Sequence, residues 1–229
     1  MISSKSVVGI ITARGGSKGL PGKNVIDLGG RPMVAWTISA ALGSAYIDRL
    51  IISTDDEEIA DTAKSWNCEV PFIRPDHLAQ DDTSSVDVAI HALQTLKETY
   101  HYFVLLQPTS PFRTNSDIDN CLELCAQTDA PACVSICGAD KSPYWMVSMD
   151  QQSHLHHVLE PPTPASRRQE LPQVYSLNGA VYVAEVNWFE ANETFLTEET
   201  RGYVMPRERS LDIDTEYDLS VAKCRLAYR

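Results

Sequence analysis

The stretch Val7-Val8-Gly9-Ile10-Ile11-Thr12-Ala13-Arg14-Gly15-Gly16-Ser17-Lys18-Gly19-Leu20-Pro21-Gly22-Lys23-Asn24 sets the reading of the whole chain. Its apolar start, residues 7–11, reads as a buried strand, and a helix pattern beginning at Arg31-Pro32 follows. The glycine- and lysine-rich loop between them therefore leaves the C-terminal end of a strand, where ligand crevices form in α/β sheets. Gly16, Gly19 and Gly22 are expected to take positive φ and bring backbone N–H groups close to an anion with no Cβ in the way. Arg14, Lys18 and Lys23 add three cations within ten residues. With these donors and no carboxylate of its own the loop should be poorly stabilised when empty, which makes a polyphosphate its natural occupant. An ordinary solvated basic loop is the competing reading. A Walker loop does not fit, because Ser17 stands where its first glycine should be and Asn24 follows Lys23, nor is the order that of a Gly-x-Gly-x-x-Gly turn.

Working outward, 229 residues with 43% hydrophobic content can bury one full core, so a single domain with a small excursion is expected. The net charge of −12 argues against sequence-independent nucleic-acid binding, which depends on clustered cations that release counterions. Residues 14–31 nevertheless hold Arg14, Lys18, Lys23 and Arg31 against Asp27 alone. Positive charge concentrated on one loop of an acidic chain points to a small anionic ligand. No run approaches the roughly 18 apolar residues of a membrane span, and the first six residues lack a secretory stretch. A cytoplasmic protein without membrane contact is expected. The six cysteines then need not form disulfides, and Cys121, Cys125, Cys133 and Cys137 read as buried thiols on a helix and a strand rather than a zinc site.

In chain order, residues 32–45 read as a helix with Pro32 at its first position and Met33, Trp36, Ile38 and Ala40 on its apolar side. A strand at 49–54 follows, then a helix to Trp66 that Thr54 or Asp55 can cap. This βαβα rhythm predicts a parallel sheet covered on both faces. A short strand at 70–73 opens into a loop from Arg74 to Ser85, and Ser84 or Ser85 can cap a helix at 86–100 whose Val88, Leu93 and Leu96 face the core. Arg74 with hydroxyl residues at a helix start suits a nucleobase and ribose, although a surface loop with a helix cap reads equally well. Residues 102–106, the most hydrophobic strand, run into Gln107-Pro108-Thr109-Ser110-Pro111-Phe112-Arg113, a stiff polar turn suited to a ligand wall.

A helix at 115–127 and a strand at 132–136 come next, and from 141 to 172 the rhythm breaks. The histidines there, His154, His156 and His157, read as exposed or interfacial because no carboxylate or cysteine pattern accompanies them. Arg167-Arg168-Gln169 is either a solvated charge pair or a bidentate carboxylate receptor. Asp212-Ile213-Asp214-Thr215 precedes a helix at 216–227. Residues two apart on an extended segment point the same way, so both carboxylates can meet one hard cation, while the competing reading makes one of them a helix cap.

The order of these residues adds more. Residues 13–24 followed by Gly30-Arg31-Pro32-Met33 resemble the signature loop of the CMP-sialic acid synthetases (acylneuraminate cytidylyltransferases), a group that includes the CMP-legionaminic and CMP-pseudaminic acid synthetases. Leu105-Leu106-Gln107-Pro108-Thr109-Ser110-Pro111-Phe112-Arg113 resembles their second motif, with Phe112 where Leu is usual. Arg168-Gln169-Glu170-Leu171-Pro172 with Asn178-Gly179-Ala180-Val181-Tyr182, and Asp212-Ile213-Asp214-Thr215, resemble the others, in the family's order. The resemblance implies a Rossmann-like three-layer α/β sandwich of the nucleotide-diphospho-sugar transferase type with a mostly parallel central sheet. Residues 1–140 and 171–229 would form the core and 141–170 an inserted dimerisation segment, giving a homodimer.

It also implies transfer of CMP from CTP to the anomeric hydroxyl of an N-acylneuraminate-type nonulosonic acid, with release of pyrophosphate. Arg14, Gly15, Gly16, Ser17, Lys18 and Lys23 would hold the triphosphate, and Asn24, Arg74, Thr83 and Ser85 the cytidine. Gln107, Arg168, Gln169 and Tyr182 would grip the acidic sugar. Asp212 and Asp214 would hold Mg²⁺, with Arg14 and Lys23 completing the catalytic set. No His or Glu stands out as general base, so proton removal is left to the metal site. Legionaminic, pseudaminic and 3-deoxy-manno-octulosonic acids are alternative substrates, and a non-catalytic CTP sensor is disfavoured by the presence of both aspartates.

Overall fold

Side chains alternate across a strand, so the unbroken apolar runs at residues 7–11 and 102–106 need cover on both faces. They have it. The computed structural model describes residues 1–160, 167 and 171–228. The first half of the chain forms β1 (Val7–Thr12), α1 (Met33–Leu42), β2 (Arg49–Ser53), α2 (Glu57–Ser65), α3 (Ser85–Thr95), β3 (Tyr102–Leu106) and α4 (Asn115–Thr128). The second half adds β4 (Ala132–Gly138), β5 (Val147–Met149), β6 (Leu155–His157), β7 (Tyr175–Glu185), α5 (Val186–Asn192), β8 (Arg201–Val204) and α6 (Glu216–Ala227).

Val7 and Ile11 of β1 and Tyr102, Val104 and Leu106 of β3 enter one core with Val34 and Ile38 of α1, Ile59 of α2 and Ile118 and Leu122 of α4. The alternate residues, Val8, Ile10, Phe103 and Leu105, enter the opposite core with Ala89, Ala92 and Leu93 of α3 and Phe189 of α5. Helices therefore cover both faces, and the three-layer α/β sandwich is as expected. The sheet order is β2-β1-β3-β7-β4-β8. β1 is parallel to β2 and β3, β8 is parallel to β4, and β7 is antiparallel to both β3 and β4. The sheet is thus mostly parallel, with β7 alone reversed.

Several boundaries differ from the sequence reading. Residues 70–73 form no strand; Glu69 makes a single parallel bridge to Ile51, and Pro71, which has no N–H to donate, follows at once. The cap of α2 is Asp56, whose carboxylate accepts from Ile59 N at 2.9 Å, rather than Thr54 or Asp55. Thr54 instead accepts from Asp56 N, and Asp55 is turned towards the glycine loop. Ser84 caps α3, which ends at Thr95 and leaves Leu96 as its C-cap. Residues 141–160 carry a short helical turn, Pro143–Trp145, and the antiparallel hairpin β5–β6.

Candidate active site

A third, smaller core brings the site together. Leu20 and Leu28 from the glycine loop, Phe112 from the proline turn, Met33 of α1, Ile213 between the two aspartates, and Leu219 and Ala222 of α6 are buried against one another. Because Ile213 points inward, Asp212 and Asp214 on either side of it point the other way, as period-two alternation requires. Ile213 N also donates to Thr109 O at 2.8 Å, which fixes the aspartate segment to the proline turn. The glycine loop packs directly on it, since a Cβ at Gly19 would lie 2.6 Å from the Asp214 carbonyl oxygen. Of the three glycines expected at positive φ, Gly22 alone has it, at +64°. Gly19 is needed for close approach, as is Gly15, where a Cβ would lie 2.5 Å from the Asp56 carboxylate.

The result is a cleft of about 270 Å³ at the C-terminal ends of β1 and β3. Arg14, Lys23, Asn24, Arg74, Thr83, Ser85, Gln107, Asp212 and Asp214 all line it, together with Thr12, Gln80, Asp81 and Thr109, which the sequence did not single out. Lys23 Nζ stands 2.8 Å from Asp214 Oδ1, although 191 residues separate them. Asn24 is buried and donates from Nδ2 to Arg14 O at 2.9 Å, while its Oδ1 has no partner among the described residues. Arg74 is held on the end of β2 by Ser53, through Oγ at 3.0 Å and the carbonyl oxygen. Burial pulls its pKa down to about 10, with Asp55 opposing and Arg14 adding to the fall.

The glycine loop is not bare of carboxylates once folded. Gly15 N donates to Asp55 Oδ1 at 3.2 Å, and Arg14 and Lys18 both pair with Asp81. These contacts come from loops about 40 and 65 residues away, so the loop's own sequence could not display them.

The competing reading of the late aspartates is overturned, because Thr215 caps α6 in a reciprocal capping box with Asp218. Both aspartates are left for the cleft. Burial pushes the Asp212 carboxyl up; Thr109 hydrogen bonding opposes this, Asp214 adds to it, and Lys23 and Arg113 oppose it. Its Oδ1 is buried without a hydrogen-bond partner among the described residues. An orphaned carboxylate oxygen beside a second carboxylate fits a hard divalent cation. No group of three or more His, Cys, Asp or Glu side chains among the described residues could hold a metal. Two carboxylates are what Mg²⁺ typically takes from protein when substrate phosphates supply further oxygens.

Behind the cleft runs a charged network that sequence reasoning missed. Arg113, fully buried, donates to Thr37 Oγ1 at 2.8 Å and to Gln107 O, and burial pulls its pKa down to about 9 against the opposing charges of Asp212 and Asp117. Asp117 accepts two hydrogen bonds from Arg209, each 2.8 Å, and closes the capping box of α4 with Thr114. Asn178 donates to Ser210 Oγ at 2.9 Å and accepts from Ser135 Oγ at 2.6 Å, joining β7 and β4 to the segment that leads into Asp212. Gly179 takes φ +70°, and a Cβ there would lie 2.6 Å from Gln107 Oε1. Tyr182, half-buried on β7, has its hydroxyl pKa raised by burial and then by the charge of Asp212; its ring packs against Phe195 and it is not among the residues that line the cleft.

Other expected residues fall elsewhere. Gly15, Gly16, Ser17 and Lys18 stand on the loop at the rim, whereas Arg168 and Gln169 lie outside the described residues. The histidines do have a carboxylate companion, contrary to the sequence reading: Asp150 bonds His154 Nδ1 at 3.1 Å and approaches His156 Nε2 at 3.5 Å, tying the exposed hairpin together. All six cysteines are free thiols; Cys68, Cys121, Cys125 and Cys133 are buried, as read for the last three, whereas Cys137 is partly exposed and Cys224 exposed. Among the described residues no helix is long and apolar enough to cross a membrane.

Comparison with known proteins agrees with this architecture. CMP-N,N'-diacetyllegionaminic acid synthase of Legionella pneumophila is 34% identical over 224 residues, covering 95% of this chain and 94% of that protein. An N-acylneuraminate cytidylyltransferase of Escherichia coli is 34% identical over 94% of this chain, which spans only 51% of that longer protein. A pseudaminic acid cytidylyltransferase of Campylobacter jejuni is 31% identical, with 93% of each covered. Among solved structures, a CMP:2-keto-3-deoxy-manno-octonic acid synthetase in complex with CTP superposes with a TM-score of 0.71 at 17% identity, covering 97% of this chain and 99% of that one. The 4-diphosphocytidyl-2C-methyl-D-erythritol synthase of Anaerococcus prevotii gives 0.67 at 15% identity, covering 99% and 98%. These two likenesses show the fold. The sequence profile described as cytidylyltransferase matches residues 8–200, and the chain belongs to the cytidylyltransferase family.

Proposed function

We propose that this enzyme transfers CMP from CTP to the anomeric hydroxyl of an N-acylneuraminate-type nonulosonic acid and releases pyrophosphate. The observation that carries the reading is the 2.8 Å contact between Lys23 and Asp214 in one cleft with Arg14, Arg74 and Asp212. In this reaction the sugar oxygen bonds to the α-phosphorus while the bond to the bridging oxygen of the diphosphate breaks. Charge builds on that departing group, so the site needs cations on its side and an anchored nucleophile opposite.

Arg14, Lys18 and Lys23, with the N–H groups of Gly15, Gly16 and Ser17, hold the triphosphate and stabilise departing pyrophosphate. Asn24, Arg74, Thr83 and Ser85 hold cytidine, and the unpartnered Asn24 Oδ1 supplies an acceptor for a base amino group or ribose hydroxyl. Gln107 and Tyr182, with Arg168 and Gln169, hold the acidic sugar. Asp212 and Asp214 hold Mg²⁺, which when bound screens phosphate repulsion and acidifies a hydroxyl it polarises. Arg113 keeps the Gln107 backbone in register with α1.

Residues 141–170 are the inserted segment of a homodimer. Trp145, Met146, Val147, Met149, Leu155, Val158 and Leu159 are all exposed there, apolar side chains that a second copy would cover. Free cysteines suit the cytoplasm. A second reading, the same transfer to N,N'-diacetyllegionaminate, is favoured by the match along nearly the full length of the Legionella enzyme. The test is pyrophosphate release from CTP and Mg²⁺ with a panel of nonulosonic acids. Turnover with the N-acylneuraminate supports the main reading, and turnover with one other acid alone reassigns the substrate. CTP binding without turnover on any acid would show a sensor instead.

A further inference from the structure

The phosphate side of the cleft already holds an anion. Asp81, on the loop between the helical turn Asp76–Leu78 and α3, pairs with Arg14 Nη1 through Oδ1 at 2.8 Å and with Lys18 Nζ through Oδ2. Arg14 and Lys18 both stand on the glycine loop, so this one carboxylate bridges the loop proposed to hold phosphates and the loop proposed to hold the nucleoside. The bridge lies on the rim, with Asp81 42% and Lys18 85% exposed, where ion pairs exchange readily with solvent and solutes. Lys18 and then Arg14 hold the Asp81 carboxyl below the usual carboxylate range, so it is ionised at neutral pH. The Asp81 loop is braced by its own bonds, Gln80 Nε2 to Asp76 O at 2.7 Å and Thr83 N to Gln80 O at 3.3 Å. A rotamer change at Asp81 therefore leaves that bracing intact.

We propose that Asp81 is an internal stand-in for phosphate, which pairs with Arg14 and Lys18 between turnovers, is displaced by the triphosphate of CTP, and returns as pyrophosphate leaves. The proposal rests on the CTP reading of the cleft. A single carboxylate offers one charge and two acceptor oxygens, whereas a polyphosphate offers several of each, so the nucleotide wins the competition when present. Competition has a signature that a structural contact lacks: removing the carboxylate makes polyphosphates bind more tightly. It also slows the departure of the product that Asp81 helps to expel.

The experiment is calorimetric titration of the full chain with CTP and with inorganic pyrophosphate in magnesium buffer, for the wild type, Asp81→Asn and Asp82→Asn. Asp82 is the exposed neighbour and its change alters the net charge identically. Asp81→Asn should bind both ligands about three- to tenfold more tightly, the scale expected for a solvent-exposed bridge between charges. Product inhibition by pyrophosphate should strengthen by the same factor, and Asp82→Asn should change each value by less than about twofold. Unchanged or weaker pyrophosphate binding by Asp81→Asn, or an equal gain from Asp82→Asn, overturns the proposal while leaving the CTP site in place. A wild type that binds no CTP removes the reading of the cleft, and this proposal with it.

Discussion

Replacing Lys23 separates what holds the fold together from what the cleft does. The Lys23 side chain is 18% exposed and its partner Asp214 is 62% exposed, so the pair is screened and contributes no more than about 1 kcal/mol to stability. Lys23→Met keeps the aliphatic stem, and for a domain of this size such a loss lowers the melting temperature by about 2–4 °C at most. Turnover is expected to respond on another scale. Removing one preorganised donor from a developing charge costs about 2.7–4 kcal/mol, or 10²–10³ in kcat. Asp214 and Arg14 share the site, so a floor of tenfold is the conservative expectation. The assay is continuous pyrophosphate release at saturating CTP and sugar, beside a thermal melt by circular dichroism. A variant that melts like the wild type and still releases pyrophosphate at a near-normal rate refutes the assignment of Lys23 to the triphosphate. An equal collapse of stability and activity refutes the magnitudes, because the ion pair would then be holding the fold.

Three further outcomes follow from other parts of the molecule. Gly19→Ala, whose Cβ would fall 2.6 Å from the Asp214 carbonyl oxygen, should part the loop from the aspartate segment and raise the KM for CTP several-fold, measured by initial rates. Arg209→Met leaves the buried Asp117 carboxylate without its bidentate partner and should lower urea stability at pH 7 by about 3 kcal/mol. Burial pushes the Asp117 carboxyl up, but Arg209 and Thr114 more than offset this and its net pKa is lowered, so the stabilisation is full above the unfolded value near 3.9 and fades as pH falls through the folded one. The gap between wild type and variant should therefore narrow below about pH 4. In native protein a thiol reagent should modify Cys224 fastest, Cys137 more slowly, and Cys68 and Cys125 only on unfolding, since burial pushes each of the last two up to about 12.

What could be read from the chain, and what could not, divides along the distance over which each feature is encoded. The strands at 7–12 and 102–106, the cap at Ser84 and the helix after Thr215 each rest on a few neighbouring residues, and their composition displays them. The reversal of β7 is invisible in this way, because a strand covered on both faces has the same apolar pattern whichever way it runs. The missing strand at 70–73 shows the converse, an apolar run whose backbone pairing Pro71 curtails. At the site, Arg14, Lys23, Asn24, Arg74, Thr83, Ser85, Gln107, Asp212 and Asp214 were expected and do line one cleft, whereas Thr12, Gln80, Asp81 and Thr109 beside them, and the pairing of these groups, were not displayed. Asp81 offered no local reason to be matched with Arg14, Arg113 read as the end of the proline turn, and nothing beside Asp117 or Arg209 in the chain marks the two for pairing across 92 residues. The convergence of the glycine loop with Asp212 and Asp214 does have a trace in the sequence, in the apolar residues Leu20, Phe112 and Ile213, each placed inside a polar motif where no element needs it. Such residues bring the motifs together by burying a shared patch. An apolar side chain in a loop rich in charge is therefore the signal by which distant parts of a polar site can be matched before a structure is known.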